Sequence, residues 1–270
     1  MTRFLHITDL HLSAPQTDDP TRQTDTVAAF DRLMDVALRL DPRPDFIVAS
    51  GDLTNVGDDA SYALLAEMLA GFDIPVHMTL GNHDRRAGWH GAFPGHAAAP
   101  DGPVDHDTVL GNVHVIALDS SVPGRVSGTL DEAQIARAEE MLSRHPELPK
   151  VVAVHHPPLV DPSRNFAWAT LDGESTDRLA ALLEGRNVVA LLSGHVHMNR
   201  VSFWHGVPLV VTMGQQSTVD LTRSDALAVV EGTGFAICDL LPSGLQATFV
   251  PLAEPRLIKE ISVERLRAFS

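Results

Sequence analysis

Five short polar blocks constrain this chain more than anything else in it: Asp9-Leu10-His11, Gly51-Asp52, Gly81-Asn82-His83-Asp84, His155-His156-Pro157-Pro158 and Gly194-His195-Val196-His197. Nearly every block sits at the C-terminal end of a short run rich in Val, Ile, Leu or Ala. That is where the strands of a sheet deliver side chains to a shared crevice. A fold that buries those runs as strands gathers seven candidate metal ligands: Asp9, His11, Asp52, Asn82, His155, His195 and His197. Carboxylate, imidazole and amide donors without thiolate suit Zn, Mn, Fe or Co in a catalytic site better than a structural Cys-type zinc site.

Residues 4–8, 45–50, 75–80, 112–118, 150–154 and 188–193 read as strands, being short, rich in β-branched residues and bounded by Gly, Asp or Pro. Between them, 24–40 carries Val27, Phe30, Leu33, Met34, Ala37 and Leu38 at helical spacing, with Thr24 or Asp25 near the cap. Segments 60–70, 130–142 and 176–183 repeat the pattern. Strands alternating with helices predict an α/β fold. Residues 208–213, 234–240 and 245–251 read as strands joined by turns such as Pro242-Ser243-Gly244, so an antiparallel segment and mixed sheets are expected. Residues 85–108 and 214–233 read as loops. The ligands run from Asp9 to His197, so we expect one catalytic domain over 1–250 and a tail over 251–270. The 200–250 segment and the apolar tail residues 257–261 are candidates for a contact between subunits.

A formal charge of -15 with no Lys/Arg-rich run lacks the electrostatic footprint of a nucleic-acid binder, so long DNA or RNA is not an expected substrate. Cys238, the only cysteine, excludes an intrachain disulfide and reads as a buried core residue. No apolar run approaches the roughly 18 residues of a membrane span. A cleavable leader would remove Asp9 and His11, so a cytoplasmic setting without membrane attachment is expected. No Gly-x-Ser-x-Gly elbow is present for a serine hydrolase.

All five blocks, in order, resemble the calcineurin-like metallophosphoesterase superfamily, whose pattern is D-x-H, G-D, G-N-H-D/E, a histidine after a strand, and G-H-x-H. The resemblance spans roughly residues 3–213, and the His-His-Pro-Pro block is similar to that of class III cyclic nucleotide phosphodiesterases and bacterial glycerophosphodiesterases. It implies a two-sheet mixed sandwich flanked by helices, a homo-oligomer, and two divalent or trivalent ions per chain from among Fe, Mn, Zn and Co. Carried over by position, Asp9, His11 and His197 would hold the first ion, Asn82, His155 and His195 the second, and Asp52 both. His83 would touch the phosphate or protonate the leaving oxygen, with Asp84 orienting its imidazole or favouring the charged form; the alternative for Asp84 is a salt-bridged structural partner. Asn82, His83 and His156 are candidate substrate contacts; His156 is the less secure of the paired histidines, because neighbours on a strand face opposite ways.

The expected activity is hydrolysis of a small soluble phosphodiester, a 3',5'-cyclic nucleotide or a glycerophosphodiester, by metal-activated hydroxide. The matched residues face metal or phosphate, so loops 85–108, 156–173 and 214–233 would decide between these substrates. Alternatives are a phosphomonoesterase or protein phosphatase of the same superfamily, or a non-catalytic scaffold such as the retromer subunit of this fold. Gly51-Asp52-Leu53-Thr54-Asn55 lacks the G-D-x-V-D-R-G continuation of the protein phosphatases. A complete ligand set with His83 argues against the scaffold.

Overall fold

Period-two alternation along fully buried strands sends side chains into separate cores. The computed structural model describes residues 1–22, 24–94, 102–164, 169–222 and 227–252. Its first half runs β1 (Thr2–Ile7), α1 (Thr26–Arg39), β2 (Phe46–Ser50), α2 (Asp59–Ala70), β3 (Val76–Thr79), α3 (Arg86–Ala92), β4 (His106–Leu110) and β5 (Val113–Leu118). There follow α4 (Glu132–Ser143), β6 (Lys150–Val154), α5 (Gly173–Leu183), β7 (Val188–Ser193), β8 (Arg200–Trp204) and β9 (Val207–Val211). The chain closes with β10 (Thr218–Val219), β11 (Val229–Val230), β12 (Gly234–Leu241) and β13 (Gly244–Pro251).

Two mixed sheets result, in the orders β13-β12-β1-β2-β3 and β4-β5-β6-β7-β9-β8. Phe4, Phe46 and Val48 of the first sheet share one core with Val113, Val115, Val151, Ala153, Ala190 and Leu192 of the second. Alternate residues Leu5, Ile7, Ile47 and Ala49 pack instead with Phe30 and Leu33 of α1, Tyr62 and Leu65 of α2 and Trp89 of α3. On the other outer face Ile116, Val152, Val154 and Leu191 pack with Met141 and Leu142 of α4 and Leu179 of α5. Burying each such large apolar side chain stabilises the fold by about 1.5–3 kcal/mol. Asp25, Asp58, Asp131 and Asp172 cap α1, α2, α4 and α5 through their carboxylates.

The two-sheet sandwich with helices on both outer faces agrees with expectation. The segments read as loops over 85–108 and 214–233 instead hold α3 and the start of β4, and the short antiparallel pair β10 and β11. Gly88 and Gly91 weaken the helical signal of α3, yet a Cβ at Gly88 would lie 2.7 Å from the Tyr62 ring, so close helix packing requires the glycine. β4 and β8 are edge strands carrying polar residues, and neither alternates cleanly. Antiparallel pairing of β12 with β1 and β13 matches the sequence reading, whereas β9 pairs antiparallel with β8 on one side and parallel with β7 on the other. Residues 257–261 lie outside the described residues. Cys238 is buried between the sheets, and burial pushes its thiol above the ordinary range. No described helix is long and apolar enough to cross a membrane.

Candidate metal centre

The five blocks follow the C-terminal ends of β1, β2, β3, β6 and β7, three strands from one sheet and two from the other. Five of the seven expected ligands have left-handed backbone: Asp9 (φ 49°), His11 (44°), Asp52 (48°), His195 (71°) and His197 (47°). A non-glycine residue there is strained by about 1–3 kcal/mol, and such strain clusters at functional sites. Main-chain bonds between blocks hold the turns, Asp9 N–H donating to Gly51 O (3.0 Å), His11 N–H to Asp52 O (2.9 Å) and Gly194 N–H to His155 O (2.9 Å). Glycines permit the close approach: a Cβ at Gly51 would lie 2.5 Å from His155 Nδ1, and one at Gly194 2.6 Å from Asp9 Oδ2.

Asp9, His11 and His197 bring ligand atoms within 4.8 Å of one another, as do Asp9, Asp52 and His155, and also His11, Asp52 and His83. Asp52 Oδ2 lies 3.3 Å from His155 Nε2 and 3.7 Å from His11 Nε2, and Asp9 Oδ1 lies 3.2 Å from His197 Nε2. The His195 N–H donates to both Asp9 oxygens, at 3.1 and 3.0 Å. Asp9 and Asp52 are buried. Burial works to raise both carboxyls, but the neighbouring histidines hold them below the ordinary range. In return, against the effect of burial, Asp52 pulls the His155 imidazolium up to about 9. Two buried carboxylates thus draw positive charge to this point.

The donor atoms fit metal ions. Nδ1 of His11 meets Asn55 Oδ1 (2.9 Å), Nδ1 of His155 meets Ser50 O (2.8 Å) and Nδ1 of His197 meets Ser217 O (3.2 Å). These oxygens only accept, so each ring holds a proton on Nδ1, and the Nε2 turned inward toward Asp9 or Asp52 is the nitrogen that a metal ion would take in place of a proton. His11 and His197 thereby face each other Nε2 to Nε2 at 3.2 Å, an arrangement that a shared cation relieves. Asn82 Oδ1 is buried without a hydrogen-bond partner among the described residues, and His155 Nε2 is buried facing Asp52 Oδ2; both are expected ligand atoms.

Two expected roles change. Asp84 does not orient the His83 ring: its oxygens accept from the N–H groups of Leu53 (3.0 Å), Thr54 (3.1 Å) and Gly81 (2.9 Å) and from the Tyr62 hydroxyl (2.8 Å). It clips the second block to the third, and burial together with the Asp52 charge pushes it up to about 6. His83 Nδ1 donates instead to the main-chain oxygen of Asn55 (2.7 Å), leaving the half-buried ring beside His11 with centroids 4.6 Å apart. His156 does not face a substrate: fully buried, it uses Nδ1 on Ser120 Oγ (2.7 Å) and Nε2 on Val126 O (2.9 Å). Its ring packs behind His195, centroids 4.5 Å apart. Sequence reasoning missed Asn55, although it closes the Gly51-Asp52-Leu53-Thr54-Asn55 run that carries the second block.

Residues 2–199 match the family model described as calcineurin-like phosphoesterase. The chain is 32% identical over 225 residues to a probable cyclic nucleotide phosphodiesterase of Rhodococcus erythropolis, covering 81% of this chain and 72% of that one. It is 33% identical over 227 residues to a cAMP/cGMP dual specificity phosphodiesterase of Mycobacterium tuberculosis, covering 81% and 69%. A probable glycerophosphodiester phosphodiesterase of Arcobacter nitrofigilis is 28% identical over 194 residues, with 70% of each chain covered. Among solved structures, a dimetal phosphatase from Danio rerio shares the fold at a TM-score of 0.66, with 14% identity over 93% of this chain and 99% of that one.

Proposed function

Since this chain belongs to the calcineurin-like phosphoesterase family, we propose that it hydrolyses small soluble phosphodiesters, 3',5'-cyclic nucleotides or glycerophosphodiesters, at a centre of two metal ions. The observation that carries this reading is the convergence of Asp9, His11, Asp52, His155, His195 and His197 from both sheets, with Asn82 Oδ1 buried and without a hydrogen bond among the described residues. Asp9, His11 and His197 would hold one ion, Asn82, His155 and His195 the other, and Asp52 both. Bound there, such ions supply a hydroxide nucleophile at neutral pH and offset the charge of the phosphate. The donors' origin in both sheets supports treating residues 1–250 as one catalytic unit.

His83 is the acid of this reaction. With Nδ1 engaged by Asn55 O, its Nε2 is the nitrogen left to give a proton to the departing alkoxide. The His83 N–H donates to Asp52 Oδ1 (2.8 Å), so the acid is positioned by the same carboxylate that would bridge the ions. The relatives named for cyclic nucleotides and for glycerophosphodiesters support a diester substrate, and the acidic surface disfavours long nucleic acid.

The test is a screen of purified protein against cyclic AMP, cyclic GMP, glycerophosphodiesters, an aryl phosphodiester and the matching monoesters. Diester turnover should vanish on chelation and return with added Mn, Fe, Zn or Co. Turnover indifferent to chelation, or faster with monoesters, contradicts the reading.

A further inference from the structure

Asn55 is buried, and each of its polar atoms has a partner. Its N–H donates to Leu12 O (3.0 Å) and its main-chain oxygen accepts from His83 Nδ1 (2.7 Å). Its side-chain oxygen meets His11 Nδ1 (2.9 Å), and its Nδ2 donates to Asp19 Oδ2 (2.7 Å) and Thr21 Oγ1 (2.9 Å). An amide has two ends that differ in chemistry but hardly in shape, so something must decide which end faces His11. Asp19 does so, because a carboxylate only accepts and must face the NH₂ end. Its own place is fixed by Ser13 Oγ (2.8 Å) and by the N–H and hydroxyl of Thr21 (2.9 and 2.7 Å).

We propose that Asn55 is the positioning residue of this centre: its side-chain oxygen keeps the His11 proton on Nδ1, its main-chain oxygen aims His83, and Asp19 holds its amide the right way round. The proposal rests on the two-ion reading above. With the amide reversed, the NH₂ group would face His11 Nδ1, draw the ring proton to Nε2 and remove the lone pair meant for the ion. Asp19, farther along the same loop between β1 and α1 that carries Asp9 and His11, thereby sets the affinity of an ion it does not itself touch.

The side-chain and main-chain duties separate by experiment. Asn55→Ala deletes the contact to His11 while leaving a main-chain oxygen for His83. Apparent Mn(II) affinity of the chelated protein, measured against a chromogenic chelator, should fall about 10–100-fold, the usual effect of losing an outer-shell partner. Turnover should return close to wild type at saturating Mn(II), a recovery that a general distortion of the site would not give. Asp19→Ala should show a smaller loss of the same kind. The double variant should lose no more than Asn55→Ala alone, because the Asn55 amide is the link between the Asp19 carboxylate and the His11 ring. Unchanged affinity in Asn55→Ala, a turnover loss that saturating Mn(II) does not restore, or additive losses in the double variant would overturn the proposal. If Asn55→Ala does not fold, Asp19→Ala decides: a Mn(II)-restorable loss supports the relay and unchanged affinity overturns it. Wild-type protein that binds no Mn(II) would overturn the two-ion reading as well, whereas wild-type binding with unaltered variants overturns the relay alone.

Discussion

Asp52→Ala is expected to lower turnover by at least on the order of 10³-fold, beyond the 10–100-fold typical of an outer-shell partner, and to reduce the protein's metal content at both positions. Asp52 Oδ2 faces His155 Nε2 at 3.3 Å and His11 Nε2 at 3.7 Å, one histidine from each proposed ion site. Its other oxygen accepts the His83 N–H at 2.8 Å, so the same substitution also frees the proposed acid. The fold should persist, since the change removes a buried charge without opening an apolar core. Elemental analysis and turnover of the purified variant check this, with a thermal melt as the control. A folded Asp52→Ala protein that holds two ions and keeps wild-type turnover would remove the bridging role.

The second large effect is at His83. His83→Ala should keep both ions, because the ring is none of the seven ligands, and slow the reaction by about 10²–10⁴-fold, the usual contribution of a positioned acid. The deficit depends on the leaving group. An alkoxide needs a proton as it departs and an aryloxide much less, so the loss should shrink for an aryl diester. Equal losses for aryl and alkyl diesters would assign the ring to phosphate positioning instead.

What the sequence discloses here follows from which interactions are local. Buried strands announce themselves by β-branched runs, and the blocks at their ends by composition, so the gathering of Asp9 to His197 at one crevice is legible in the chain itself. Helices α1 and α2 are legible through apolar spacing. Edge strands β4 and β8 are not, because their half-solvated residues follow no clean alternation, and α3 is masked by the glycine its packing on Tyr62 requires. Roles that depend on partners distant in sequence are the least legible. Asp84 lies next to His83 in the chain, yet its carboxylate is turned to Leu53, Thr54 and Tyr62. Asn55 lies 28 residues from His83 and 44 from His11, and nothing in either local motif marks it as the residue both histidines share. His156 shows the same limit, since only the packed loops reveal that Ser120 and Val126 consume both its nitrogens.

Two ions acting together at this crevice would leave a clear mark on a metal titration in which diester turnover is followed in parallel. Protein stripped by chelation and titrated with Mn(II) should bind two equivalents per chain and regain most diester turnover with the second. The position served by Asp9 has an anionic ligand of its own and should fill first, while the one served by Asn82, His155 and His195 shares only Asp52. Full turnover without added metal, or a plateau at one equivalent per chain, would contradict the account.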